Sequence, residues 1–389
     1  MIKAAKRLDT VQEYYFSKKL REVRSLLAAG KPIINMGIGS PDLQPPTQVV
    51  AAIQGSLGDA NAHKYQSYQG LPELRNAIAT FYKNKFSVDS DPESEVLPLM
   101  GSKEGIMHIS MAFLNEGDKV LIPNPGYPTY TSVTKLVSAE PLFYDLDADN
   151  NWQPDLDKIE NQEFSDDVDN IKIMWVNYPN MPTGANATLE TFQKLVAFGK
   201  KHNILIINDN PYSFILNENP ISILQVDGAK DIALELNSLS KTFNMAGWRV
   251  GMLLGKENYI NEVLKVKSNM DSGMFYGIQK GAIEALQLSD DWFKVQDKIY
   301  KERRELIWQL ADKLNAVYDK NATGLFVWAK IPEGKKSEEV TDKVLYENDI
   351  FITPGTIFGS QGEGYIRFSL CVTTEVIKEA INRFSAVGN

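Results

Sequence analysis

The chain has 389 residues, 43% of them hydrophobic, enough for one large folded body and a smaller companion with a substantial core. Lys and Arg total 41 against 50 Asp and Glu, a net charge of −9 spread without long like-charged blocks, which argues against nucleic acid and anionic membrane as partners. One cysteine, Cys371, and three scattered histidines, His63, His108 and His202, supply neither an intrachain disulfide nor a metal-ligand cluster, so no metal is expected.

The N-terminal stretch MIKAAKRLDTVQEYYFSKK lacks an apolar h-region, and no apolar run approaches the roughly 18 residues of a membrane span, so a cytosolic protein is expected. From residue 95 to residue 255, β-rich runs alternate with helix-like segments: EVLPLM, KVLIPNP, IKIMWVNYP, NILIIND, IALELNS and RVGMLLG. Nearly continuous apolar runs separated by helical stretches predict an α/β core, a mostly parallel sheet with helices on both faces. The stretch ETFQKLVAFGKKHN carries apolar residues near a 3.6 period and runs into NILIIND, as a crossover helix would. After residue 285 the pattern changes to the long helical stretch DWFKVQDKIYKERRELIWQLADKLN and the shorter runs GLFVWAKI, DIFITPG and GYIRFSL. That predicts a second, smaller α+β domain. The expected division is a large domain over 46–285 and a small one made of 1–45 and 286–389. The acidic stretch NQEFSDDVDN reads as solvated surface, and Cys371, after the apolar run YIRFSL, as a buried packing residue.

Open parallel sheets bind ligands outside the carboxyl ends of their strands, so polar residues just after each apolar run are the candidates. They are Gly101, Ser102 and Lys103 after EVLPLM, Tyr127 after KVLIPNP, Asn180 after IKIMWVNYP, Asp209 and Tyr212 after NILIIND, and Ser238, Ser240 and Lys241 after IALEL. A single crevice could hold them all.

Lys241 poses the sharpest question, because it follows a strand that should be buried. A solvated surface charge does not suit that place. Ser238-Leu-Ser240-Lys241 fits the S-x-x-K pattern of serine acyl-transfer enzymes, but the companion S-D-N and K-T-G segments are absent. GIGSPD at Gly37 lacks the third glycine of the dinucleotide-binding pattern. The third reading is a lysine that bonds to a cofactor aldehyde. Such an amine must be neutral part of the time, although a free lysine has a pKa of about 10.4; desolvation and a neighbouring cation such as Arg249 would lower it. Ser238, Ser240, Arg249 and the backbone N–H groups of Ser102 and Lys103, at the start of the helical stretch KEGIMHISMAFLN, could cradle a phosphate. Asp209 at a strand end could keep a pyridine nitrogen protonated. Together these residues ask for pyridoxal phosphate.

The segments GIGSPDLQPP, YQSYQGLPELR, GSKEGI, PNPGYPTY, YPNMPTG, DNPYS, SLSKTFNMAGWRVG and YIRFSL occur in the order found in class I/II aminotransferases of fold type I. The resemblance runs along nearly the whole chain. GSKEGI, SNMDSG and TPGTIFG resemble the branch of LL-diaminopimelate aminotransferases and their relatives acting on alanine, aspartate or methionine. The resemblance implies an enzyme that transfers an amino group between an L-amino acid and a 2-oxo acid by a ping-pong cycle. Lys241 would be the cofactor-bonding lysine and proton shuttle, Asp209 the partner of the ring nitrogen, Tyr212 the donor to the ring hydroxyl O3′, and Tyr127 the aromatic on the ring face. Ser102, Lys103, Ser238, Ser240 and Arg249 would hold the phosphate, with Tyr65 reaching it from a partner subunit, which implies a homodimer with shared active sites. Arg367 would fork onto the substrate α-carboxylate, and Gly39 would place a backbone N–H nearby, drawing the small domain inward.

One position departs from the family pattern. An asparagine normally precedes Pro-Thr-Gly and contacts O3′; this chain has Met181 there, with Asn180 one place earlier. A thioether cannot donate that bond, so Asn180 or Tyr212 would compensate. Two other functions are consistent with the same scaffold. A C–S β-lyase would release pyruvate and ammonia without an acceptor oxo acid. A transcription regulator would need a basic DNA-binding domain ahead of INMGIGSPD, where only about 30 residues stand.

Overall fold

The computed structural model describes residues 2–9, 15–163 and 170–386. Most of the acidic stretch NQEFSDDVDN therefore lies outside the described residues. Thirteen strands are described: β1 (Ile34–Asn35), β2 (Val96–Leu99), β3 (Lys119–Asn124), β4 (Glu140–Asp145), β5 (Ile171–Val176), β6 (Leu205–Asp209), β7 (Ala233–Ser238), β8 (Gly251–Leu254), β9 (Val317–Tyr318), β10 (Phe326–Lys330), β11 (Ile350–Phe351), β12 (Thr353–Pro354) and β13 (Tyr365–Ser369).

Seven of them form the main sheet in the order β2-β8-β7-β6-β5-β3-β4. β3, β4, β5, β6 and β7 pair in parallel, while β8 runs antiparallel to both of its neighbours. Each of the six apolar runs read from the sequence contains one of these strands. β4 was not among them, because this edge strand, EPLFYD, is largely half-exposed and carries charge at both ends. Strand alternation explains why both faces need cover. Ile206, Met174 and Val176 join an apolar cluster with Phe81 and Phe192 of the helices Pro72–Phe86 and Leu189–His202. Leu205, Ile207, Ile173 and Trp175 point the other way, into a cluster with Ile106 and Ile109 of the helix Ser102–Phe113.

The helix Leu189–His202 begins at Thr188, whose hydroxyl accepts from the Thr191 N–H while Thr191 reaches back in a capping box. It ends at Asn203 in a left-handed conformation (φ 54°), and β6 follows. That crossover turns the chain so that Asp209 ends its strand on the same edge of the sheet as Ser238 of β7, since Asp209 pairs with Leu236 in parallel register.

A second, antiparallel sheet, β12-β13-β10-β9, packs on the 24-residue helix Asp290–Lys313, and β1 and β11 form a separate parallel pair. The run DIFITPG is split between them, with Ile350–Phe351 in one sheet and Thr353–Pro354 in the other. Among the described residues no helix is long and apolar enough to cross a membrane. The fold is thus a large mostly parallel sheet flanked by helices, beside a smaller antiparallel unit.

Candidate active site

A cavity of about 530 Å³ opens where the carboxyl ends of β5, β6 and β7 face the second sheet. All of the predicted site residues except Asn180 and Tyr65 line it: Gly39, Ser102, Lys103, Tyr127, Asp209, Tyr212, Ser238, Ser240, Lys241, Arg249 and Arg367.

Lys241 stands on the short helix Leu239–Thr242 that begins where β7 ends, and its Nζ donates to the Gly39 carbonyl at 2.6 Å. Burial holds this amine below the ordinary lysine value; Cys371 opposes the shift, and Arg367 and then Arg249 reinforce it. Of the two causes expected from the sequence, desolvation outweighs the neighbouring cation in lowering the lysine.

Asp209 is 4% exposed. Its Oδ2 accepts from the Tyr130 hydroxyl at 2.8 Å, while Oδ1 has no hydrogen-bond partner. Burial pushes its carboxyl up to about 7, against the lowering effect of Tyr130. Asp209 does not cap a helix, since turns follow it. A buried carboxylate oxygen left unpartnered beside a cavity calls for a cationic or N–H partner.

The opposite wall is built for an anion. Gly101, with φ 92°, precedes the 12-residue helix Ser102–Phe113, and no side chain caps that helix N-terminus. A Cβ on Gly101 would fall directly onto the Arg249 guanidinium, so glycine lets the arginine close against the helix start. Arg249 itself has φ 57° and donates from Nη1 to the Ala246 carbonyl at 3.0 Å. Ser238 Oγ accepts from the Ser240 N–H at 3.0 Å. Backbone N–H groups at an uncapped helix start, two hydroxyls and an arginine are groups that could cradle a phosphate. The orphan Asp209 oxygen and this cradle, with Lys241 among the same lining residues, fit pyridoxal phosphate.

On the small-sheet side, Arg367 of β13 is 5% exposed. Its Nη2 donates to the Gly37 carbonyl at 2.8 Å and its Nη1 to Met181 Sδ at 3.3 Å. The guanidinium lies 4.0 Å from the Phe326 ring centre and 4.6 Å from that of Phe358. Gly39 has no room for a side chain, because a Cβ there would strike Phe326.

Two predicted residues lie elsewhere. Asn180 is buried and its Oδ1 accepts from the Thr183 hydroxyl at 2.8 Å, closing the turn at Pro182 instead of facing the cavity. Tyr65 is 91% exposed and outside this cavity. Conversely, the sequence reading missed Asn177, Tyr130, Phe326, Ile357 and Phe358, which all line the cavity. Asn177 stands directly after the β5 run, where the strand-end rule should have found it; its Nδ2 donates to the Asp209 carbonyl oxygen at 2.5 Å and its Oδ1 accepts from Met181 N–H at 2.8 Å. Tyr130, which stacks on Trp175 at 4.9 Å, carried no signal beyond its place in PNPGYPTY.

Comparisons with known proteins agree with this geometry. A family model for aminotransferase class I and II matches residues 31–384. The chain is 42% identical over 386 residues to LL-diaminopimelate aminotransferase from Maridesulfovibrio salexigens, covering 98% of each chain. It is 41% identical over 385 residues to the enzyme of that name from Aquifex aeolicus, again covering 98% of each. Among solved structures, apo-BacF from Bacillus subtilis superposes with a TM-score of 0.94 at 35% identity, covering 100% of this chain and 99% of that one. An aspartate aminotransferase mutant from Thermus thermophilus, 23% identical and fully covered on both sides, shares the fold with a TM-score of 0.91. The chain belongs to the class I and II aminotransferases, and is a pyridoxal-phosphate enzyme that transfers an amino group between an amino acid and a 2-oxo acid.

Proposed function

We propose that each step of this transamination is carried by residues converging on one cavity. Lys241 would hold pyridoxal phosphate through its amine and would move a proton at the substrate Cα. Asp209 would hold the ring nitrogen with its unpartnered Oδ1, Tyr212 would donate to the ring hydroxyl, and Tyr127 would cover the ring face. Ser102, Lys103, Ser238, Ser240 and Arg249 would hold the phosphate, and Arg367 would grip the α-carboxylate. When bound, pyridoxal phosphate supplies the aldehyde that takes up the amino group and a ring that draws electrons from the substrate Cα. A neutral amine at Lys241 is favoured by its burial. A positioned acid/base group of this kind is worth about 10²- to 10⁴-fold in rate.

The observation that carries the reading is the orphan Oδ1 of Asp209 in a cavity that Lys241 and the Arg249 cradle also line. Asn180 accepts from the Thr183 hydroxyl through Oδ1 while its Nδ2 is buried without a hydrogen-bond partner, and Asn177 fixes the end of β6 through the Asp209 carbonyl. Residues 46–285 act as the cofactor-binding domain, and 1–45 with 286–389 as the domain that closes over the substrate through Arg367 and Gly39. The protein works in the cytoplasm as a homodimer, in which Tyr65 of one copy reaches the phosphate held by the other. The exposure of Tyr65, Tyr68, Met111, Met270 and Phe275 supports such an interface.

Borohydride reduction of the holoenzyme followed by peptide mass mapping tests the site: the cofactor adduct should appear on Lys241. An adduct on another lysine would overturn it. Light scattering should report a two-chain particle.

A further inference from the structure

The Arg367 guanidinium lies between two rings of different origin. Phe326 stands on β10, the strand paired with β13, so the small sheet itself supplies it. Phe358 belongs to the loop 355–362 between β12 and β13. That loop is pinched at its neck, where a Cβ on Gly355 or Gly362 would strike the carbonyl oxygen of the other. Its far side is tied to the ends of β3 and β4 in the main sheet. The buried Asn124 donates from Nδ2 to Asp145 Oδ1 at 2.7 Å and to Ser360 Oγ at 2.8 Å, and its Oδ1 accepts from the Gln361 N–H at 3.2 Å. Gln361 Nε2 donates to Asp145 Oδ2 at 2.8 Å, and the Phe358 carbonyl accepts from the Gly126 N–H at 2.8 Å. Gly359, with φ 128°, passes so close that a Cβ there would fall onto Asn124 Oδ1. Inside this knot the loop is a thin wall: Ile357 and Phe358, with Tyr127, line the active-site cavity and also a second cavity of about 280 Å³. A wall hollow on both sides draws less support from packing, so its ties set its position.

Resting on the reading that Arg367 grips the α-carboxylate, we infer that Asn124 and Asp145, neither of which lines the active-site cavity, are positioning residues for the amino-acid substrate. They act through the loop 355–362, which they fasten so that Phe358 stays against the Arg367 guanidinium. The hydrogen bonds to Gly37 and Met181 fix the edge of the guanidinium, and the two rings fix its plane. A loosened loop would leave Arg367 on Phe326 alone, and a misplacement of about 1 Å far from the chemistry can cost about 10²-fold. The phosphate cradle takes no residue from this loop, so the cofactor itself should be held as before.

The test uses the donor that reacts fastest with wild-type holoenzyme, chosen from the common L-amino acids and LL-diaminopimelate. Single-turnover mixing, followed by the cofactor's visible absorbance, gives its half-saturation concentration and limiting rate with each variant. Asn124→Asp sets a second carboxylate against Asp145 and should raise half-saturation about tenfold or more. Cofactor affinity, from fluorescence titration of the cofactor-free protein, should not change. Ser360→Ala removes one tie and should produce a smaller effect of the same kind. Adding Asp145→Asn to Asn124→Asp exchanges donor and acceptor; with the Ser360 hydroxyl turned to donate, every contact of the knot is restored. Half-saturation in that double variant should return to within about twofold of wild type. Deuterium exchange of peptides spanning 355–362 in the cofactor-free protein should rise in Asn124→Asp and fall back in the double variant. Arg367→Lys serves as the reference. If it weakens the donor while Asn124→Asp and Ser360→Ala do not, the inference falls and the reading of Arg367 stands. Cofactor affinity lost together with half-saturation, or no recovery in the double variant, also overturns the inference. A donor indifferent to Arg367→Lys brings down the reading of Arg367, and the inference with it.

Discussion

Asp209 is a carboxylate whose protein environment alone disfavours its charge: burial lifts it to about 7, and only the Tyr130 hydroxyl pulls it back. A protonated ring nitrogen beside Oδ1 would reverse that balance, so the residue and the cofactor stabilise each other's charges. Asp209→Asn keeps an oxygen for Tyr130 but loses the negative charge. With saturating cofactor, kcat should fall by about 10²-fold or more while the circular dichroism spectrum is unchanged. Arg367 makes the complementary case. Lysine at this position would lose the planar fork and the stacking against Phe326 and Phe358, and a charge-assisted hydrogen bond is worth about 1.5–3 kcal/mol. Steady-state assays of Arg367→Lys should show kcat/KM reduced about 10- to 100-fold for every amino acid together, because the α-carboxylate is common to all of them. A loss confined to one substrate would mean that Arg367 reads the side chain. Met181 touches the same guanidinium. Met181→Asn restores an amide donor near the ring hydroxyl, so the pH midpoint of the holoenzyme's visible absorbance should move down, as a spectroscopic titration would record.

The helix Ser102–Phe113 and the segment around Arg249 make a device that neither forms alone. β8 lies beside β2 in antiparallel register, with Gly251 opposite Leu99, which brings Arg249 back to the start of the helix that follows β2. The contact closes only because residue 101 has no side chain and can hold φ 92°. Gly101→Ala would combine an unfavourable backbone conformation with a collision against the Arg249 guanidinium, a strain of about 1–3 kcal/mol. Its expected consequence is cofactor dissociation at least about tenfold easier, measured by fluorescence titration of the cofactor-free protein. Unchanged affinity would show that the cradle does not depend on this approach.

Across the whole molecule, the buried carboxyls give stability an uncommon pH trend. Asp209 and Glu235 both have folded-state values raised by burial, so the native chain keeps protons that the unfolded chain has already released. For Asp209 the window runs from the ordinary 3.8 to about 7. Its contribution is fully present below that window and lost as pH rises through it, with a slope of at most about 1.4 kcal/mol per pH unit. Denaturant melts of the cofactor-free protein at pH 5 and pH 7.5 should therefore show wild type losing stability relative to Asp209→Asn as pH rises. A difference that does not change with pH would place the Asp209 carboxyl near its ordinary value.

Local pattern and spacing determined much of this protein by themselves. Near-continuous apolar runs marked six strands of the main sheet, because strands covered on both faces must be apolar throughout, and the strand-end rule brought Lys241, Asp209 and Ser102 into view. The half-exposed β4 escaped, since an edge strand needs no such run. The site's other half was only partly legible, since the segment YIRFSL pointed to Arg367 by its resemblance but nothing pointed to Phe326 or Phe358. Phe326, Phe358 and Arg367 belong to the small unit and meet Met181 and Gly37 only when distant segments pack together. The strand-end rule was applied to Asn180 and passed over Asn177, which directly follows β5; the turn at Pro182 leaves Asn180 Oδ1 on Thr183 while Asn177 lines the cavity. The depressed pKa of Lys241 is likewise a tertiary property, because desolvation depends on what the folded chain lays over the amine and no neighbour in sequence can supply it.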